Sequence, residues 1–330
     1  MHLFTDIFKR IMLPLRIHRP RLNVRWHVRL WIHTLFLRLG YHFIPVHYYS
    51  PVPNILDLAK TRDIWAKKSE LPGLAVNLDD QASRLKAVCI PYRSEYAGNT
   101  HFLEATSNQL GQGYGYIEAQ ALHALIRHYK PRRIMEVGSG VSTYCMLKAA
   151  ELNRRDSGHD CEIVCIEPYP SPGLKALSPI ELIPEQVQTV PFTRFSELKE
   201  NDLLFIDSSH TVKPGGDVNF LILEVLPRLA QGVVVHFHDI YLPYDYQPDV
   251  FKTYWHWAET SLLRAFLAFN NKVRILFCLS HLHCERRDVL REVFPEYNPL
   301  TDVNGLCLEL NGPWSRAPGH WPSSTYIQIQ

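Results

Sequence analysis

Four carboxylates and two histidines in this chain stand at or just after the ends of short apolar runs, an arrangement that gathers ionisable groups at one edge of a sheet. Asp207 and His210 belong to Asp-Ser-Ser-His after Leu203-Leu-Phe-Ile, and His238 and Asp239 follow Val233-Val-Val-His-Phe. Glu167 ends Cys161-Glu-Ile-Val-Cys-Ile, and Glu136 lies within Arg133-Ile-Met-Glu-Val-Gly-Ser-Gly-Val-Ser-Thr143. Carboxylates crowded into a poorly solvated cleft raise one another's pKa unless compensated, so a cation or a set of donors belongs among them. His210 lies one turn beyond Asp207, and its ordinary pKa suits proton abstraction, which makes it the candidate general base.

The elements that must position these groups follow from the pattern. Apolar runs of strand length alternate with helical segments, which predicts a parallel sheet covered on both faces, with ligands bound at the strands' C-terminal ends. The fold class is therefore α/β: a Rossmann-like doubly wound sheet, mostly parallel with an antiparallel edge strand, behind an N-terminal helical and irregular extension. Gly138 and Gly140 allow a sharp turn and close approach to a ligand, while the following helix aims its free N–H groups at the same place. An acid after the second strand, Glu167, can accept hydrogen bonds from both ribose hydroxyls of an adenine nucleoside. NAD and S-adenosylmethionine both fit, but Gly140 is followed by Val141-Ser-Thr-Tyr144 without the third small residue of a pyrophosphate turn. An acid-lined cleft also suits a sulfonium better than a phosphate.

Between about Tyr116 and Phe277 the chain resembles class I S-adenosylmethionine-dependent methyltransferases, in the branch containing macrolide-sugar and cephalosporin-type O-methyltransferases. The resemblance rests on Ile117-Glu-Ala-Gln-Ala-Leu, Glu136-Val-Gly-Ser-Gly-Val-Ser-Thr143, Ile166-Glu-Pro-Tyr-Pro170, Phe205-Ile-Asp-Ser-Ser-His210, Val235-His-Phe-His-Asp-Ile240 and Leu262-Leu-Arg-Ala-Phe-Leu267, in that order. It implies in-line methyl transfer to a hydroxyl of a glycan or glycosylated metabolite, as in polysaccharide biosynthesis. Glu136, Gly138, Ser139 and Gly140 would surround the amino-acid part of S-adenosylmethionine, joined by Ser142 and Asp207, with Glu167 on the ribose. His210, Asp207 and Asp239 would be catalytic. The macrolide-sugar pattern also implies a divalent metal such as magnesium. Its ligands here would be Asp207, His238 and Asp239, although His238 replaces a glutamate, exchanging a hard oxygen for an imidazole. Relatives tend to carry Asn-Glu where this chain has Ala258-Glu259, which weakens any substrate role for that stretch.

Structural explanations compete at each position. Asp207 and Asp239 could cap helices, Glu167 could be a surface charge, and of His236 and His238, which share one strand face, one is expected to be a core histidine. Cys278-Leu-Ser-His281-Leu-His283-Cys284 holds zinc-type ligands, but Val273–Cys278 reads as a buried strand and the two-plus-two spacing is missing. The rival functional classes are an NAD-dependent oxidoreductase and a non-catalytic cofactor-binding protein of a biosynthetic complex.

A chain of 330 residues, 46% hydrophobic and 21% charged, can bury one large core with a smaller appendage. Three regions are expected: a basic helical extension and cap over 1–113, a methyltransferase domain over 114–312 and a polar, mobile tail over 313–330. Leu306–Leu310 reads as the edge strand, and Tyr241–Tyr246 as a substrate loop. Seven cysteines without a regular framework point to a reducing, cytoplasmic setting. The net charge of +2 hides an N-terminus whose Lys9, Arg10, Arg16, Arg19, Arg21, Arg25, Arg29 and Arg38 face Asp6 alone. Pro14 and Pro20 interrupt it, and no apolar run is long enough to span a bilayer. A helix pair packed on the catalytic domain is preferred over peripheral membrane contact. Nucleic acid is not expected, because the catalytic part shows no basic stripe interleaved with aromatics. No pattern in the chain specifies an oligomeric state.

Overall fold

The computed structural model describes residues 24–111, 113–308 and 319–330. Among them, one sheet is built from β1 (Arg133–Val137), β2 (Glu162–Ile166), β3 (Glu181–Ile183), β4 (Leu203–Ile206), β5 (Val234–Phe237), β6 (Val273–Cys278) and β7 (Thr325–Ile329), in the order β3-β2-β1-β4-β5-β7-β6. Strands β1 to β5 pair in parallel, and β7 runs antiparallel to both its neighbours. The longer helices are α1 (Val24–Arg38), α2 (Leu78–Cys89), α3 (Tyr116–Tyr129), α4 (Val141–Ser157) and α5 (Glu259–Leu267).

Strand periodicity divides the core into two layers. On β1 and β4, Ile134, Leu203 and Phe205 join the cluster packed beneath α2, α3 and α4, while Met135, Val137, Leu204 and Ile206 join the cluster on the opposite face. Both faces are dry because the central strands read as nearly continuous apolar runs, and each fully buried large aliphatic or aromatic side chain contributes about 1.5–3 kcal/mol. Register sets the site: Val137 lies opposite Ile166 and Ile206, and Ile206 lies opposite Phe237. The next residues along, Gly138, Glu167, Asp207 and His238, therefore leave the sheet side by side. Strand order reverses between β1 and its neighbours β2 and β4, where a doubly wound sheet opens its crevice.

Three expectations need correction. The antiparallel strand is not Leu306–Leu310, where Leu306 forms only an isolated bridge to Val303 and residues 309–310 lie outside the described residues. It is Thr325–Ile329, inside the edge strand β6. The chain end was expected to be polar and mobile, yet Tyr326 and Ile327 are fully buried. A β-branched and aromatic run, Thr-Tyr-Ile-Gln-Ile, fits the pleated gap between β5 and β6 better than its polar flank suggests. Finally, the chain divides into compact units at 1–54 and 55–330, so residues 55–113 belong with the sheet rather than with the extension. Helix α2 shows why: Gln81 Oε1 accepts the Cys278 N–H of β6 at 2.9 Å, and Leu85, Val88 and Cys89 are buried.

In the first unit, only residues from 24 onward are described, so the expected first helix of a pair lies outside them. Among the described residues no helix is long and apolar enough to cross a membrane. The zinc-type residues find other partners: Cys278 Sγ contacts Ser280 Oγ at 3.2 Å, and His283 Nδ1 lies 2.6 Å from the Tyr297 hydroxyl.

Candidate active site

Gly138 and Gly140 shape the floor of a cleft. Gly138 adopts φ +78°, and a Cβ there would stand 1.8 Å from the Asp207 carbonyl oxygen. A Cβ on Gly140 would stand 2.5 Å from the Leu110 carbonyl oxygen. The turn is braced from below by Glu136, whose carboxylate accepts Ser142 Oγ–H and Thr143 Oγ1–H, each at 2.6 Å, and lies 3.3 Å from Cys165 Sγ. Burial pushes its carboxyl up to about 7 against those donors. Glu136 was expected beside the cofactor, but strand alternation turns it under α4 with Ile134. It is fully buried, so it holds the turn rather than a ligand.

The cleft has a volume of about 640 Å³ and adjoins a second hollow of about 460 Å³; Gly138, Glu167, Asp207, Ser208 and Ser209 line both. These volumes suit a nucleoside-sized ligand with a second molecule beside it. Ser139, Gly140 and Ser142 also line the larger space. Glu167 is anchored by the Tyr169 N–H at 2.7 Å and reaches the Ser139 N–H at 3.4 Å. The hydroxyls of Ser139 and Ser208 are buried without a hydrogen-bond partner, an arrangement that pays only when a ligand supplies one. The glycine cradle, the orphaned hydroxyls and Glu167 together fit a polar nucleoside cofactor.

Beyond the cradle the expected ionisable groups do converge. His210 Nε2 lies 3.2 Å from Asp207 and 3.5 Å from Asp239, and His238 Nδ1 lies 3.4 Å and 3.5 Å from the same carboxylates. Neither aspartate caps a helix. Asp239 also accepts the Tyr241 hydroxyl at 2.9 Å and Ser323 Oγ–H at 3.0 Å. Both His210 (φ +56°) and Asp239 (φ +54°) hold left-handed backbone, which costs about 1–3 kcal/mol for non-glycine residues and tends to persist where function requires it. His236, on the same strand face as His238, is the core histidine: it stacks on Phe205 at 4.2 Å and reaches Ser324 Oγ at 2.8 Å.

Charge balance here is supplied by the protein. Burial would push His238 down, yet Asp239 and Asp207 raise it to about 9. Burial likewise opposes His210, but Asp207, Glu259 and Asp239 hold it well above the usual histidine range. Asp207 is lowered in turn, because His238 and His210 outweigh its own burial. The two imidazoles thus face the carboxylates as the compensating groups. The atoms of Asp207, His238 and Asp239 lie within 4.8 Å of one another, as a divalent cation would need. His238 Nδ1 is buried without a hydrogen-bond partner and could offer a lone pair, but His210 Nε2 already lies 3.2 and 3.5 Å from the two carboxylates and competes for their oxygens.

Several groups of the site receive no role from the sequence, although Glu118 lies in Ile117-Glu-Ala-Gln-Ala-Leu and Glu259 in the Ala258-Glu259 pair, whose substrate role the sequence discounts. Glu259, first residue of α5, is 1% exposed, and its Oε2 lies 2.8 Å from His210 Nδ1. The Ala258 and Glu259 N–H groups also donate to the His210 carbonyl at 2.9 and 3.2 Å, which fixes the start of α5 against the histidine. Glu118, on the first turn of α3, accepts the Ser323 N–H at 2.8 Å. Trp321 and Ser323 bring the C-terminal segment to the cleft wall, which they share with Tyr241, Trp255 and Trp257 of the expected substrate loop and its continuation. Trp257 packs on the His210 ring at 4.7 Å.

Residues 135–240 match a family profile described as a methyltransferase domain. A protein of Archaeoglobus fulgidus, itself uncharacterised, is 31% identical over 175 residues, spanning 49% of this chain and 76% of its own length. Two solved structures are similar more distantly. One, from Plasmodium falciparum, is described as a protein-L-isoaspartate O-methyltransferase in complex with S-adenosyl-L-homocysteine; it is 12% identical, with a TM-score of 0.27, over 48% of this chain and 83% of that one. The other, from Thermobifida fusca, is described as a methyltransferase and is 13% identical, with a TM-score of 0.30, over 81% of this chain and 96% of that one.

Proposed function

We propose that this chain, which belongs to the methyltransferase-domain family, moves the methyl group of S-adenosylmethionine onto a hydroxyl of a glycan or glycosylated metabolite. The observation that carries this reading is the pairing of Glu259 with His210 at one end of a cleft whose other end is the Gly138 turn and Glu167. When bound, S-adenosylmethionine supplies an electrophilic methyl group on a sulfonium that departs as a neutral thioether. Glu167 is placed to accept the ribose hydroxyls, and the Ser139 and Ser208 hydroxyls to bind the cofactor's polar groups. Tyr241, Trp255, Trp257 and Trp321 offer flat apolar faces to an acceptor, and His210 Nε2 takes the hydroxyl proton as the new bond forms. Glu259 receives Nδ1–H, so the neutral ring carries its lone pair on Nε2, which lies between Asp207 and Asp239 on the cleft wall. Holding the acceptor in line with the methyl group is worth much of the remaining barrier.

The direct test is calorimetry on the full chain with S-adenosylmethionine and with NAD, in magnesium and in EDTA, followed by radiolabelled methyl transfer to saccharide acceptors. S-adenosylmethionine should bind equally well in both buffers, with no NAD signal. Binding of NAD alone would make Glu167 a dinucleotide ligand and overturn the reading. Binding of S-adenosylmethionine only with magnesium would return Asp207, His238 and Asp239 to a metal.

The base assignment has its own signature in pH. Neighbouring carboxylates raise the folded pKa of His210 despite burial, so its unprotonated, base-competent form appears only as pH climbs through that raised value. In kcat/KM the acid limb should therefore lie above the ordinary histidine pKa. Glu259→Gln keeps an acceptor for Nδ1–H but deletes a charge, and should move that limb down by about one pH unit. A limb that stays in place would mean that another group accepts the proton.

A further inference from the structure

We propose that the first compact unit carries an interfacial docking surface for an anionic lipid bilayer, formed by α1 and the aromatic segment after it. Helix α1, Val-Arg-Trp-His-Val-Arg-Leu-Trp-Ile-His-Thr-Leu-Phe-Leu-Arg, has apolar residues on every side, a composition that normally signals burial. Here the opposite holds: Trp26 is 63% exposed, Trp31 48% and Leu37 43%. The segment after the helix continues the pattern. Phe43 stacks on Phe36 at 4.9 Å and its carbonyl meets His33 Nδ1 at 2.9 Å, which folds the segment back onto α1, while Tyr41, Tyr48 and Tyr49 remain 69%, 80% and 78% exposed.

Charge selects the partner. From residue 7 to residue 54 the chain contains no aspartate or glutamate, whereas Arg25, Arg29 and Arg38 are exposed along α1. Tryptophan and tyrosine rings with arginines, and no acid to repel phosphate, match the headgroup layer of a negatively charged leaflet, where amphipathic rings and cations are both stabilised. A nucleic acid would pair with the arginines but leave Val28, Leu30 and Leu35 in water. Fifteen residues extend about 22 Å, short of the roughly 30 Å hydrocarbon core, so the helix lies along the surface rather than through it.

Sedimentation of the full chain with phosphatidylcholine vesicles, with and without phosphatidylglycerol, tests this. The protein should pellet with the anionic vesicles and stay in solution with phosphatidylcholine alone. Arg25→Gln/Arg29→Gln/Arg38→Gln should lower the partition coefficient by about a hundredfold, and Trp26→Ser/Trp31→Ser by about tenfold or more. Thermal melting of the second unit should be unchanged in both variants. Absence of pelleting with anionic vesicles, or equal pelleting of parent and variants, overturns the proposal. A salt-sensitive shift with RNA that the arginine variant loses, without vesicle binding, would overturn it in favour of nucleic acid. Methyl transfer to a soluble acceptor is a separate readout, so failure of the docking surface and failure of the catalytic reading cannot be confused.

Discussion

His210→Ala should cut methyl transfer by about 10²–10⁴-fold while cofactor affinity stays within a few-fold, because general base catalysis contributes about that much and His210 sits beyond the cofactor cradle. The substitution also leaves Glu259 buried with neither oxygen paired, since Oε1 already has no partner. That should cost about 3 kcal/mol or more in unfolding free energy. Lost rate and lost stability must therefore be separated. In His210→Gln/Glu259→Gln both charges are gone and an amide pair fills the space, so melting should recover most of the way to the parent while the rate stays low. Radiolabelled transfer by the two variants, beside calorimetry with S-adenosylmethionine, makes the comparison. If either variant keeps activity within about tenfold of the parent, His210 is a structural partner of Glu259 and not the base.

Gly138→Ala should abolish function by a different route. Its Cβ would meet the Asp207 carbonyl oxygen at 1.8 Å, and φ +78° is a conformation that alanine adopts only under strain. Backbone on both sides must move, at a cost of about 3 kcal/mol or more. The displaced strand end carries Asp207, which is shared by the cofactor hollow and the His210 cluster. A shift near 1 Å there is enough to cost about a hundredfold in rate. Cofactor binding should fall at least as far, in contrast to His210→Ala, and Ser139→Ala should show only a modest loss. Undiminished cofactor affinity in Gly138→Ala would remove the turn from the binding site.

The strands, the glycine turn and the ionisable cluster were legible in the sequence because each depends on neighbours along the chain. Apolar runs of strand length predict β1, β2, β4, β5 and β6 within a residue or two of their observed bounds. Once those strands are parallel and in register, Gly138, Glu167, Asp207 and His238 must emerge together, and His210 and Asp239 follow within a few residues.

Tertiary structure decided the rest. Whether Glu136 touched a ligand depended on which face of β1 lay under α4, and the helix covered it. Glu259 is 49 residues from His210, and only the packing of α5 across the cleft brings them into contact. Trp321, Ser323 and Ser324 belong to a stretch whose local composition reads as tail. They reach the site because β7 inserts between β5 and β6 and carries the preceding residues to the cleft's rim. The physical reason is common to all three. Local pattern specifies which face of an element is apolar, whereas the partner of a buried polar group is chosen by whatever distant segment fills the space beside it, and that choice is made only when the chain closes on itself.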